Sequence, residues 1–445
     1  MGRNRLILWI QIVSLMVISV VLWKLYCSFN TSGYLYFSDG AKIADVAKSI
    51  VLQGNYLTHF IFFGSKVVIQ GVPVFASWIL PAVPLSIAVF FKTFGISDFT
   101  VIATSFFYFS LLVIFSFLLG RKLFGNFVGF LTGLVIATNV NFLEYAALGA
   151  SETLFAFEIV LVAYLFLLRK KWTDISGFFS LVLMYFTRQQ AFIYIAGLLL
   201  FWLLLKFKTK QAVLYFAGLL VLGLAADFLI LRQVSGKFFL YSISQSGGFA
   251  VTQHLPNIAS SEALRGGVQS AGVVPILKKV FYNIYNFYRL LPQVISPYLW
   301  VFFIIGLLRW GKDKIENSFR ISVIFMVAVT FLVTALTIPL YRYLHPVIPL
   351  VYLFATATLV WIVKEIVNSQ WLMDKKVRKE CLVAGISSVL IFFFVVGQTL
   401  GVIFLDSRFK AKTVNKGKPP VYVALSRILK ENTGADDVII TNLDT

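Results

Sequence analysis

The chain has 445 residues, 59% of them hydrophobic and 13% charged, with 46 phenylalanines. A soluble domain carries roughly 25% charged residues, so the composition excludes a soluble enzyme and specifies a polytopic helical membrane protein. The net charge of +20 does not imply nucleic acid, because much of it falls in short clusters between apolar spans, where the positive-inside rule explains it as topology.

In chain order, the first apolar stretch, Leu6–Cys27, follows Arg3 and Arg5. It is too long for the apolar core of a signal peptide and lacks a small-residue cleavage site, so it reads as a retained anchor with a cytoplasmic N-terminus. The polar, amphipathic segment Ser38-Asp39-Gly40-Ala41-Lys42-Ile43-Ala44-Asp45-Val46-Ala47 comes next. It predicts a helix at the outer surface, presenting Asp39 in a chain where charge is scarce and costly. Ser77–Gly95, broken by Pro81 and Pro84, would invert every later basic cluster if it crossed. It therefore reads as a helix lying on or dipping into the outer face, and Thr100–Leu119 makes the inward crossing. Asn126–Leu143 runs out and Glu152–Leu168 returns; Asp174–Thr187 and Gln189–Leu205 form a short pair meeting at Arg188. Gln211–Leu231, Pro292–Leu308, Ser318–Ile338, His345–Val363 and Leu382–Leu405 then alternate. This keeps Arg121-Lys122, Arg169-Lys170-Lys171, Lys206/Lys208/Lys210, Arg309/Lys312/Lys314 and the Lys375–Lys379 run in the cytoplasm.

The expected fold is all-α and polytopic, with roughly eleven transmembrane helices and an extracytoplasmic C-terminus. Residues 1–405 form the membrane domain. Its first outer loop spans 28–98 with juxtamembrane helices, and its second spans 232–291, with Lys278–Tyr288 as an interfacial helix. Residues 406–445 read as the interrupted start of a small α/β domain, with a helix at Pro419–Glu431 and a strand at Val438–Thr441.

That topology gathers ionisable residues at the outer face: Asp39 and Asp45 on the first-loop helix, Glu144 and Glu152 flanking one turn, Arg188 at a hairpin tip, and Asp227 near a span end. Tyr341-Arg342-Tyr343-Leu344-His345-Pro346-Val347-Ile348-Pro349 opens a later span. A carboxylate can take the proton from an attacking hydroxyl or amine, and arginine grips a phosphate leaving group bidentately with permanent charge. Each residue also has a plainer reading. Asp39 and Glu152 suit helix N-termini, Arg188 could snorkel, and Arg342 could anchor an aromatic belt with its flanking tyrosines. Asp45 suits a solvated helix face, Glu144 an interfacial position, and Asp227 a pairing with a polar neighbour. His59, His254 and His345 are more often structural than catalytic. Gly125, Gly129 and Gly133 form a small-residue ridge suited to close helix packing. Cys27 and Cys381 read as small core residues, and Asn30-Thr31-Ser32 matches a glycosylation acceptor very close to the membrane. No Walker loop, dinucleotide fingerprint or Gly-x-Ser-x-Gly elbow occurs.

The order of these motifs resembles the GT-C glycosyltransferases, specifically those similar to dolichyl-phosphate-mannose protein mannosyltransferases and the lipid A aminoarabinose transferase. Asp39–Gly54 resembles the first-loop pattern, and Pro81–Leu85 leading to Phe91–Gly95 the Pro-rich juxtamembrane helix. Arg121–Gly125 matches a basic turn, Ala150–Phe155 the second acidic motif, and Thr187–Gln189 and Arg342–Pro349 two later ones. Two positions depart: Thr153 stands where a proline is common, and Gln70-Gly71-Val72-Pro73 where a charged residue often precedes the Pro-rich helix. The resemblance implies transfer of a sugar from a polyprenyl-phosphate donor at the outer face, with inversion, to a protein, lipid or glycan acceptor. Asp39 would be the base, Glu152 a second acid orienting acceptor or donor, and Arg188 and Arg342 the phosphate grip, with Tyr343 and His345 beside them. It implies membrane lipids as partners, no nucleic acid, no cofactor and no essential metal, since the three-carboxylate metal site of oligosaccharyltransferases is not evident. The expected location is a prokaryotic plasma membrane. A lipid-linked glycan polymerase or ligase is the enzymatic alternative, and a lipid-sugar flippase or transporter the other. Against the latter stand the lack of an inverted repeat and the crowding of polar candidates at one surface instead of the midplane.

Overall fold

The computed structural model describes residues 3–30, 35, 38–59, 74–76, 79–206, 211–226, 228, 273–289, 291–311, 313–337, 340–368, 376–405, 428 and 431–432. Asp227, His254, the Gln70–Pro73 junction, most of the second outer loop, and most of the tail with its expected α/β opening lie outside them.

Helix α1 (Arg3–Asn30) is apolar around its whole circumference and leaves Trp9, Ile10, Val13, Val17 and Val21 exposed, as a lipid-facing helix does. After α2 (Ser38–Gln53), the strands β1 (Leu57–Thr58) and β2 (Val74–Phe75) pair antiparallel, Leu57 opposite Phe75. This is a small addition to the all-α expectation. Tyr56 secures it by donating its hydroxyl to the Ile79 carbonyl at 2.8 Å, and burial pushes its phenol above the ordinary range.

Helix α3 (Ala82–Phe94) has 13 residues, about 20 Å of helix against a hydrocarbon core of about 30 Å. That length fits the surface helix expected around Pro81 and Pro84. Its first amide, Ala82 N–H, donates to the Phe186 carbonyl at 3.1 Å. Helix α4 (Asp98–Phe124) opens on Ser97, whose hydroxyl accepts the Thr100 amide at 3.2 Å, with Asp98 in its first turn and Arg121 and Lys122 in its last.

The span expected at Asn126–Leu143 is corrected in one respect. It consists of α5 (Asn126–Ala137) and α6 (Val140–Leu148), bent by 55°. The cause is local: Thr138 returns its hydroxyl to the Leu134 carbonyl, and Asn139 leaves helical geometry to accept the Phe142 amide as a new N-cap.

Helices α7 (Glu152–Leu167), α8 (Lys171–Tyr185), α9 (Ala191–Lys206) and α10 (Gln211–Ala226) follow. Helix α11 (Val273–Arg289) covers the expected interfacial helix. The short α12 (Leu291–Val294) precedes α13 (Pro297–Leu308), α14 (Lys314–Leu336), two 3-10 turns at Tyr341–Tyr343 and His345–Val347, α15 (Ile348–Asn368) and α16 (Lys376–Leu405). Among the described residues, four helices are long and apolar enough to cross a membrane, or five if the bent α5–α6 pair counts as one; α3, α9 and α13 are shorter apolar helices. Cys381 is exposed and not a core residue as expected, because α16 turns that side outward; neither cysteine forms a disulfide among the described residues.

The glycine ridge does pack helices tightly. A Cβ on Gly129 would stand 2.5 Å from the Arg121 nitrogen and 2.6 Å from the Phe117 carbonyl oxygen, so α5 touches the α4 backbone directly. Gly129→Leu is expected to cost about 1–3 kcal/mol by overpacking, measured as a lowered unfolding midpoint in detergent. An unchanged midpoint would contradict this contact.

Candidate functional site

Asp39 reaches its place through a backbone contact. A Cβ on Gly40 would lie 2.4 Å from the Leu148 carbonyl oxygen, so only glycine lets the start of α2 settle on the turn between α6 and α7. That turn closes on Gly149 at φ +67°, in the left-handed region. Asp39, in the first turn of α2, then meets a distant segment: Arg342 Nη1 donates to Asp39 Oδ2 at 2.8 Å. Arg342 stands on the first 3-10 turn, which comes after the end of α14 at Leu336 and is followed by Pro346 in the second turn.

Glu152 opens α7 from the same turn. Arg188, between α8 and α9, approaches it at 2.6 Å (Nη1 to Oε1), and the same nitrogen donates to the Ser151 hydroxyl at 3.2 Å. The two side chains are 11% and 3% exposed, so Arg188 is paired inside the protein and does not snorkel. Burial works against the Arg188 charge, but the Glu152 carboxylate outweighs it and holds the guanidinium above its ordinary pKa.

Tyr343 joins the pairs. Its ring centroid is 5.6 Å from the Arg188 Cζ and 5.4 Å from the Arg342 Cζ, so two cations share one aromatic face system. Arg342 also hydrogen-bonds Tyr343 and interacts electrostatically with Glu152. His345 is buried; its Nδ1 bonds the Tyr145 hydroxyl, and the Tyr341 ring meets it edge-on at 5.8 Å.

The structure thus brings Asp39, Glu152, Arg188, Arg342, Tyr343 and His345 together, and adds Tyr145 and Ser151, which sequence reasoning passed over. Glu144 is corrected from an interfacial position: it is buried on α6, within electrostatic reach of Tyr145. The spacing Glu144-Tyr145 before Glu152 was the available signal. Asp45 is not fully solvated. It accepts the His59 amide at 2.7 Å and the Thr58 hydroxyl at 3.0 Å, and pairs with His59 Nδ1 at 3.0 Å, fastening β1 to α2. Among the described residues no three of His, Cys, Asp and Glu converge as a metal-ligand set.

Chemically, the cluster is two carboxylates and two guanidinium groups whose charges cancel. An entering phosphate can recruit the guanidinium donors, and a released carboxylate can accept a proton.

No family model matches the chain, and no curated protein matches it by sequence. Solved structures do. It is similar to ArnT from Cupriavidus metallidurans bound to undecaprenyl phosphate, with 13% identity and a TM-score of 0.51 over 92% of this chain and 74% of that one. It is also similar to the Archaeoglobus fulgidus oligosaccharyltransferase tethered with an acceptor peptide containing the NVT sequon, with 13% identity and a TM-score of 0.54 over 95% of this chain. The archaeal oligosaccharyltransferase AglB in complex with an inhibitory peptide and a dolichol-phosphate matches at 12% identity and a TM-score of 0.50 over 98% of this chain. The chain spans 57% and 59% of these two oligosaccharyltransferase chains. The chain therefore shares its fold with these ArnT and oligosaccharyltransferase structures.

Because Asp39 and Arg342 touch, cysteines replacing each must react with a membrane-impermeant thiol reagent from the same side. Labelling of Asp39→Cys and Arg342→Cys from opposite sides of sealed vesicles would break the cluster.

Proposed function

We propose that the chain is a glycosyltransferase that moves a sugar from a polyprenyl-phosphate-linked donor to a protein, lipid or glycan acceptor at the outer membrane face. The observation that carries this reading is the pair of acid–guanidinium contacts, Asp39–Arg342 and Glu152–Arg188, bridged by Tyr343. The similar ArnT structure holds undecaprenyl phosphate and the AglB structure a dolichol-phosphate and a peptide, which supports a lipid-phosphate donor here. On the same reading residues 1–405 form a membrane domain of roughly eleven crossings, with a cytoplasmic N-terminus in a prokaryotic plasma membrane. Residues 28–98 and 232–291 are its outer loops, and 406–445 lie on the same outer side.

The chemistry follows from the charges. Before acceptor binds, Arg342 holds Asp39 aimed through their hydrogen bond. An acceptor hydroxyl or amine gives its proton to Asp39 as its oxygen or nitrogen bonds the anomeric carbon. The bond from that carbon to the donor phosphate oxygen breaks on the opposite face, and its electron pair leaves with the phosphate. Arg188 and Arg342 receive the charge that develops there. Glu152 keeps Arg188 extended, and Tyr343 and His345 shape the pocket beside it. With two guanidinium groups in the place where charge develops, we propose turnover without a resident divalent cation.

Two experiments test this. Envelope glycans of a deletion strain, read by mass spectrometry, are expected to lose a sugar that the wild-type chain restores and Asp39→Asn does not; turnover should fall about 10²–10⁴-fold. Arg342→Ala should weaken undecaprenyl-phosphate binding by about 10–100-fold. Wild-type glycans with Asp39→Asn would refute the base. Separately, EDTA should leave transfer in washed membranes unchanged, and loss restored by Mg²⁺ or Mn²⁺ would overturn the metal-independent mechanism.

A further inference from the structure

One buried carboxyl has no part in the chemistry above. Glu158 lies on α7 six residues beyond Glu152, about 9 Å along the helix axis. It is 5% exposed; its Oε1 accepts the Thr187 hydroxyl at 2.9 Å, and its Oε2 is buried without a hydrogen-bond partner. Among the described residues no basic side chain pairs with it. An ionisable group at that depth is expensive and persists where it performs a task. Its helix neighbours Phe155, Phe157 and Ile159 are apolar and buried, so packing alone does not call for a carboxyl.

Its hydrogen-bond partner is informative. Thr187 immediately precedes Arg188, in the short tip between the end of α8 at Tyr185 and the start of α9 at Ala191. Thr187 also has a local acceptor, the Leu183 carbonyl at 3.2 Å, so it does not need Glu158 to satisfy its hydroxyl. The tip is otherwise tied by the Phe186 carbonyl to α3 and by Arg188 to Glu152 and Ser151. Helix α7 therefore grips it twice, through Glu152 on the guanidinium and through Glu158 on the residue beside it.

We propose that Glu158 is a positioning residue for Arg188: its carboxyl oxygen holds Thr187 and so fixes the tip from which the guanidinium reaches the lipid phosphate. The phosphate part of this inference rests on the function proposed above; the positioning part does not.

The first measurement needs no ligand. Phenylglyoxal modification of Arg188, followed by peptide mass spectrometry, should be slow in the wild type and several-fold faster in Glu158→Leu and Thr187→Val. Glu158→Gln should stay near the wild-type rate, because its amide oxygen can accept the Thr187 hydroxyl. The second measurement is undecaprenyl-phosphate binding to the purified full chain. Glu158→Leu should weaken it about tenfold alone and add nothing in an Arg188→Ala background. Unchanged modification rates in the leucine and valine variants, a glutamine variant behaving like leucine, or additive binding losses would each overturn the positioning role. Equal lipid-phosphate binding by wild type and Arg188→Ala would instead refute the phosphate role of Arg188, with the modification rates still deciding the positioning.

Discussion

Two like-charged guanidinium groups, Arg188 and Arg342, face one tyrosine ring, and they can do so only because each has a carboxylate. Glu152 neutralises one and Asp39 the other. Removing Glu152 would leave the buried Arg188 uncompensated beside a second cation, a cost of about 3–5 kcal/mol. The four groups are therefore one electrostatic unit. Their chain separation shows how much of the fold serves it, since Asp39 and Arg342 are 303 positions apart.

Backbone contacts decide where the acids stand. The α5–α6 bend carries the end of α6 to the site, Gly149 turns the chain into α7, and Gly40 lets α2 sit against the Leu148 carbonyl. Side chains at these glycines would move Asp39 or Glu152 before touching any charge. A shift of about 1 Å at a reacting group costs on the order of a hundredfold in rate, so these small residues bear on the proposed chemistry as directly as the acids do.

Much of this arrangement was legible in the sequence because it is local or one-dimensional. Apolar spans, basic clusters and the two prolines of α3 give the helix order, and Asp39, Glu152, Arg188 and Arg342 stand out as charges in a greasy chain. What the sequence hid depends on contact. Tyr145 bonds His345 across 200 positions, and nothing in its neighbourhood distinguishes it from other aromatic residues at span ends. Glu144 looks interfacial until α6 is seen to bury it. The bend at Thr138–Asn139 required knowing that both polar side chains turn back on the backbone, a competition that hydrophobic periodicity does not record. Cys381 misled for the opposite reason: an apolar helix in a membrane protein has no obligatory inward face.

The ion pairs divide by exposure, and the division bears on the proposed reaction. Arg320–Glu316 and Lys206–Asp174 each have one partner at 2% or less, and Arg320 also holds the Gly306 carbonyl; with Arg309 over Trp361 they fasten helix ends that belong to the basic clusters. Glu152–Arg188 is similarly enclosed. Asp39–Arg342 differs, at 43% and 26% exposed. An exposed pair contributes little to stability, about 0–1 kcal/mol, and so opens at little cost when a ligand competes for its donor. A buried pair resists separation because each charge would be stranded. In the proposed transfer this assigns unlike duties to the two arginines: Arg188 is a fixed charge whose position must be built by α7, whereas Arg342 can let go of Asp39 as phosphate arrives, freeing the carboxylate when the acceptor needs a base.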